Sequence, residues 1–208
     1  MTTSNYQPGS SGIDTCISSG DETSNGSETY FLISNQQRIL IKFDISDISS
    51  SAICSSATLS LYSYSSSAMT GDTYTAYSVL AANSSWDESA TWNTRDGSNN
   101  WAGSAGCSTS GTDYNGTSIG SCVMNETFLS ENQFPLTPST VTTWFGGSNL
   151  NYGIIIFNPT IRSGGLYASD ETINTAYRPK LSVTYSLSGL KYRKTFSSLG
   201  TKIGSRGA

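Results

Sequence analysis

In residues 38–45 every second side chain is apolar. Ile39, Ile41, Phe43 and Ile45 fall on one side, with Lys42 and Asp44 on the other. Successive side chains of an extended chain point to opposite faces, so this period of two specifies a strand with one face buried. Residues 57–64 repeat the pattern, with Ala57, Leu59 and Leu61 against Thr58, Ser60 and Tyr62, and residues 73–80 and 180–185 repeat it again. Residues 152–157 are a nearly unbroken apolar run, the mark of a central strand covered on both faces. Weaker strands fit 13–18, 29–34, 123–129 and 165–169. Clusters of Gly, Ser, Asn and Asp punctuate these runs, the longest over 103–120. Residues 139–145 support one helical turn, with Ser139 as N-cap and Gly146 and Gly147 ending it. About nine short strands separated by such turns predict an all-β chain, an antiparallel β-sandwich or jelly roll.

The 208 residues suit a single sandwich with appendages. Residues 1–12 read as a polar N-terminal extension, 13–186 as the sandwich, and 187–208 as a basic C-terminal arm. All fifteen acids lie before residue 189, whereas Lys191, Arg193, Lys194, Lys202 and Arg206 follow it with no acid among them. Phe196, Leu199 and Ile203 are isolated apolar anchors in that arm, too few to fold it alone. The arm reads as a disordered tail or as an element that orders on a neighbouring subunit.

Charged residues make up only 12% of the chain, and hydroxyl and amide side chains carry its polarity. That composition suits work outside a cell. The acidic body argues against nucleic-acid binding. Histidine is absent, which removes the commonest general base and the commonest zinc ligand together. Residues 1–12 contain no apolar core of a secretory leader, and no stretch approaches the length of a transmembrane helix. An extracellular, cell-surface or virion location follows, with release by lysis as one route.

The four cysteines form no CxxC pair. Two disulfides fit an even count: Cys107 with Cys122 across the Gly/Ser/Thr-rich stretch, and Cys16 with Cys54 by default. Four buried free thiols are the alternative.

Several segments in order carry a family likeness: 39–48 (ILIKFDISDI), 56–62 (SATLSLY), 86–93 (WDESATWN) followed by Trp101, 141–144 (VTTW), 151–156 (NYGIII), 167–171 (YASDE) and 178–185 (RPKLSVTY). Together they span about residues 10–186, and the set resembles the DNRLRE family. The resemblance implies a jelly-roll sandwich related to carbohydrate-binding modules, found in secreted, surface and phage proteins, with no catalytic residue set.

Candidate sites are few. Asp87-Glu88 and Asp170-Glu171 are sequence neighbours, which strands point to opposite faces, so neither pair can clamp a glycosidic bond. Among the tryptophans, Trp86, Trp92 and Trp144 read as core, and Trp101, between Asn100 and Gly103, as the best exposed platform for a sugar. Tyr62, Tyr64 and Tyr77 lie opposite the apolar faces of their strands, as a wet aromatic strip or as cross-strand pairs. No cofactor is expected; calcium is the one plausible metal, with Asp14, Asp44 and Asp47 as weak ligand candidates and no EF-hand-type loop. Four sequons, at Asn25, Asn83, Asn115 and Asn125, predict surface loops.

Two functional readings follow, neither of them enzymatic. The first is a structural or display module of an extracellular or virion assembly that contacts other subunits through the C-terminal arm, with glycan adhesion as an added capacity. The second is a carbohydrate-binding module of a secreted or cell-surface protein.

Overall fold

The computed structural model describes residues 1–9, 12–64, 71–125, 127–147, 150–158 and 164–187. Among these residues the chain forms eleven strands, β1 Thr2–Tyr6, β2 Ile13–Ser18, β3 Tyr30–Ile33, β4 Gln37–Lys42, β5 Ala52–Tyr62, β6 Thr73–Ser78, β7 Gly120–Val123, β8 Glu131–Leu136, β9 Ile154–Phe157, β10 Gly164–Tyr167 and β11 Lys180–Leu187. A short helix, α1 Pro138–Thr142, lies between β8 and β9. No helix among the described residues is long and apolar enough to cross a membrane.

The strands make two facing antiparallel sheets. Sheet A runs β1-β11-β5-β8 and sheet B runs β2-β4-β9-β6-β7, with the β10-β3 ribbon beside them. The chain crosses repeatedly between layers, as in a jelly roll, and the all-β sandwich expected from the alternation is what forms. The expected N-terminal extension supplies β1, which pairs with β11 from Thr2 opposite Tyr185 to Tyr6 opposite Leu181. Of the segment expected as one strand over 123–129, only Val123 lies in a strand among the described residues, at the end of β7, and β8 starts later, at Glu131. Pro135 sits in β8, which lies at the edge of sheet A, where a missing N–H costs no ladder bond. The helical turn begins at Pro138, and Thr137 rather than Ser139 takes the N-cap position.

Alternate residues of both sheets fill the space between them. Ala57, Leu59 and Leu61 of β5, Leu181 and Val183 of β11, and Phe134 and Leu136 of β8 meet Ile39, Ile41, Tyr74, Ala76, Ile154 and Ile156 of sheet B. Sheet B is also covered on its outer face. The long segment from Val79 to Cys107 lays Val79, Trp86, Ala90, Trp101 and Cys107 over Ile17, Leu40 and Ile155, a second apolar cluster. Burial on both faces is why β9 reads Ile-Ile-Ile-Phe with no alternation. Among the described residues no second apolar cluster lies on the outer face of sheet A, and β8 alternates exposed and buried residues along its whole length.

The cysteines follow from this layering. All four are free. Cys107 belongs to the outer cluster of sheet B, whereas Cys122 packs toward the inner core, so sheet B itself separates the expected partners. Cys16 and Cys54 sit in strands of opposite sheets, and facing sheets lie about 10 Å apart, beyond the roughly 4.4–6.8 Å Cα separation of a disulfide. Their thiols donate to backbone carbonyls instead, Cys16 to Leu32 O at 2.8 Å and Cys54 to Ser56 O at 3.3 Å.

Candidate functional site

The open outer face of sheet A ends in a group of tyrosines drawn from four segments. Tyr62 is the last residue of β5, and Tyr64 follows two residues later. Tyr30 opens β3, Tyr167 closes β10, and Tyr177 lies in the turn before β11. Pairing of Tyr30 with Tyr167 across the β10-β3 ribbon, and of Ser63 with Leu166, brings these segments together. Tyr30 and Tyr64 stack at 4.4 Å between ring centroids, with planes 3° apart. Tyr64 meets Tyr167 edge-on at 5.3 Å, Tyr167 stacks on Tyr177 at 5.7 Å, and Tyr177 meets Tyr62 edge-on at 5.4 Å. Tyr167 is the buried keystone of the series; the other four rings keep part of their surface in water, Tyr64 most of all at 38%.

Polar groups flank the rings. Lys180 Nζ lies 3.5 Å from the Tyr62 hydroxyl and 3.8 Å from the Glu131 carboxylate. Burial alone would push the Glu131 carboxyl up. Hydrogen bonds from Ser60, Gln133 and Tyr62, and the Lys180 charge, hold it below the usual range. The patch therefore carries the Lys180–Glu131 ion pair, and the Glu171 carboxylate acts on Tyr167 from its other side. Ser182 and Thr184 of β11 and Thr58 of β5 extend a half-buried hydroxyl surface from it across sheet A. Aromatic rings edged by hydroxyls and one balanced ion pair can bind a polyhydroxylated chain by stacking and hydrogen bonding.

Of the expected site residues, Tyr62 and Tyr64 are in this patch and Tyr77 is not. Tyr77 faces outward from sheet B, but there it packs against Tyr114 and Phe157 beneath the 79–107 cover. Trp101, expected to be exposed, is 4% exposed and donates its indole N–H to Thr91 O at 3.1 Å. It is part of the apolar cluster of the cover. Trp86 and Trp144 are buried, as expected, while Trp92 is half-exposed beside the Arg38 guanidinium, which lies 5.6 Å from its ring and 4.5 Å from that of Phe157. Sequence reasoning missed Tyr30, Tyr167 and Tyr177; their only signal was the shared parity of Tyr62 and Tyr64.

The three calcium candidates do not converge. Asp44 accepts from Ser46 N and Asp47 accepts from the Tyr6 hydroxyl, both on the surface. Asp14 is buried and accepts from Ser169 N and Oγ, each at 2.9 Å. Burial, with the charges of Glu88 and Asp170 adding to it, pushes Asp14 up to about 7. Among the described residues no group of three acids, cysteines or histidines is placed to hold a metal ion. Asn83, one of the four sequon asparagines, is buried and donates to Asp113, so it is no surface acceptor. The arm residues Lys191, Arg193, Lys194, Phe196, Leu199, Lys202, Ile203 and Arg206 lie outside the described residues.

Two comparisons bear on this geometry. A family model described as carbohydrate-binding module family 96 matches residues 5–143. No curated protein matches the chain.

Proposed function

The chain belongs to carbohydrate-binding module family 96, and from that membership we propose that it is a non-catalytic module that holds a polysaccharide chain on the tyrosine patch at the end of sheet A. The observation that carries this reading is the solvent-exposed stack of Tyr30 on Tyr64, continuous through Tyr167 with Tyr177 and Tyr62. The location that goes with it is extracellular or cell-surface. Segment 188–208 does not enter the reading, and family membership favours glycan binding over virion display as the main role.

Retention on immobilised polysaccharides tests it. The wild type should be slowed in affinity electrophoresis by at least one member of a panel of neutral and charged polysaccharides. Losing one stacking ring costs about 1–2 kcal/mol at a hot spot, so Tyr64→Ala and Tyr177→Ala should each weaken binding about tenfold. Wild-type mobility unchanged by every polysaccharide would refute glycan binding. Full retention by the double variant would refute the patch.

A further inference from the structure

A bare sheet edge is a row of N–H and C=O groups that templates another strand, so natural sheets blunt their edges. Three of the four edges of sheets A and B are blunted. On β2, Asp14 N donates to the Glu88 carboxylate, and Cys16 O accepts from Asn25 Nδ2 at 2.8 Å. β7 has four residues and lies against β8, where a Cβ on Gly120 would come 2.5 Å from Pro135 O. β8 itself carries Glu131 and Pro135. The β10-β3 ribbon is tied as well, by Tyr64 N to Gly165 O and by the Cys16 thiol to Leu32 O.

β1 has none of these devices. It pairs with β11 on one side, and among the described residues no backbone group bonds to its other side. Residues 1–12 contain no charged side chain, and Pro8 comes only after the strand. The register with β11 runs without a bulge, and Thr2, Thr3 and Asn5 are exposed. Side chains hold the strand in place. Thr3 Oγ1 lies 2.9 Å from Thr184 Oγ1, Ser182 Oγ donates to Asn5 Oδ1 at 2.6 Å, and the Tyr6 hydroxyl donates to Asp47 at 2.7 Å. An edge ordered in advance lowers the cost of adding a strand.

Charge selects the partner and its direction. The charged groups near β1 stand at its Tyr6 end: Asp47 on the Tyr6 hydroxyl, Lys42 and Asp44 facing the same opening as Asn5 and Tyr6, and Arg178 against Gly9. At the Thr2 end the neighbouring β11 residues are Tyr185, Ser186 and Leu187, all uncharged. The strand is thus complementary to itself. Antiparallel order sets the charged end of each copy against the uncharged end of the other. The two Asp47–Tyr6 pairs then fall four residues apart along the strand, roughly 14 Å, beyond the roughly 8 Å screening length. Parallel order would bring them together.

We propose that two copies of the chain pair antiparallel along β1, with Ser4 on the twofold axis, and join their A sheets into one of eight strands. Thr2 then lies opposite the partner's Tyr6, and Thr3 opposite the partner's Asn5. Five residues a side bury less than the roughly 1,200 Å² of a standard interface, so the dimer is weak and concentration-dependent. It uses none of residues 188–208 and does not rest on the polysaccharide reading. It sends the two tyrosine patches to opposite ends of the joined sheet.

Sedimentation velocity of the full chain, from about 10 μM to about 1 mM, tests it. The mass should climb from 22.1 kDa toward twice that value. Over the same range, hydrogen exchange of the β1 amides should slow while that of β8 stays constant. Thr3→Lys/Asn5→Lys sets like charges opposite each other across the axis and should weaken association at least tenfold, with the thermal unfolding midpoint unchanged. Thr3→Glu/Asn5→Glu should do the same, and an equimolar mixture of the two variants should recover the dimer. A monomer throughout the range overturns the proposal. So does a dimer whose β1 amides exchange no more slowly, or one that survives either double variant, since the contact then lies elsewhere.

Discussion

Asp113 is the point from which the cover over sheet B can be dismantled. It is buried, and its carboxylate accepts four hydrogen bonds. Asn83 Nδ2 at 2.9 Å and Gly103 N at 2.8 Å reach Oδ1; Ser104 N at 3.1 Å and Thr109 N at 2.8 Å reach Oδ2. Burial alone would raise the carboxyl, but these donors more than offset it and hold it below the usual carboxylate range. Asp113→Ala strands all four donors at once. Each orphaned buried donor costs about 1–3 kcal/mol, and water entering the gap recovers part, so the net loss should be about 3–5 kcal/mol. That is a large share of the roughly 5–15 kcal/mol that holds such a domain together. Urea unfolding followed by tryptophan fluorescence reads it directly, because Trp86, Trp92 and Trp101 all belong to the cover. The sign with pH is fixed as well. A depressed folded pKa contributes stability above the unfolded value of about 3.9, and that stability fades as pH falls through the folded value. The variant should therefore lose less stability than the wild type on acidification from pH 5. A loss below about 1 kcal/mol at pH 7 would refute the view that this carboxylate organises the cover.

Asp14 should behave oppositely. Its folded pKa of about 7 exceeds the ordinary 3.8, so its contribution falls as pH rises between those values, by up to about 4 kcal/mol. Asp14→Asn keeps both Ser169 contacts, since the hydroxyl can turn to accept, and its urea midpoint should fall less than that of the wild type between pH 5 and pH 8. Gly106 has φ +75° and packs on Trp92, where an added Cβ would come within 2.5 Å of the ring. Gly106→Ala should cost about 2 kcal/mol or more in the same unfolding assay, while Gly111→Ala, with open space around it, should cost only the roughly 1 kcal/mol of its backbone conformation. The free thiols should make the melting temperature insensitive to reductant. In a thiol-reagent titration Cys122, the half-buried one, should react first, and the buried three should wait for unfolding.

The strands were legible because one buried face imprints a period of two. The alternation marks which side chains leave the core, but not what waits for them. Tyr62 and Tyr77 carry the same local signal and are both half-buried, yet one meets Tyr177 beside sheet A and the other Tyr114 and Phe157 on the outer cluster of sheet B. Nothing near Tyr77 in sequence announces that cluster. Trp101 was misread for the same reason: its Gly- and Ser-rich surroundings suggest a solvated loop, whereas the segment is pinned by Asp113, whose donors are mostly backbone amides and leave no side-chain pattern. β8 was hidden by Pro135, which is harmless on an edge strand. The tyrosine patch was half visible, since Tyr30, Tyr167 and Tyr177 join it only through the pairing of β3 with β10 and the turn into β11.

The pairing of Thr2 with Tyr185 brings the two ends of the described body to the same end of sheet A. Lys180 begins β11 opposite Ser60, five residues before Tyr185 and roughly 17 Å away along the strand. A dye, bead or enzyme coupled near Thr2 or Leu187 would thus hang behind the tyrosines rather than over them. Coupled at Thr2 or at Leu187 itself, the protein would turn its aromatic tip away from the attachment point, because the strand order sets both residues at the far end of sheet A.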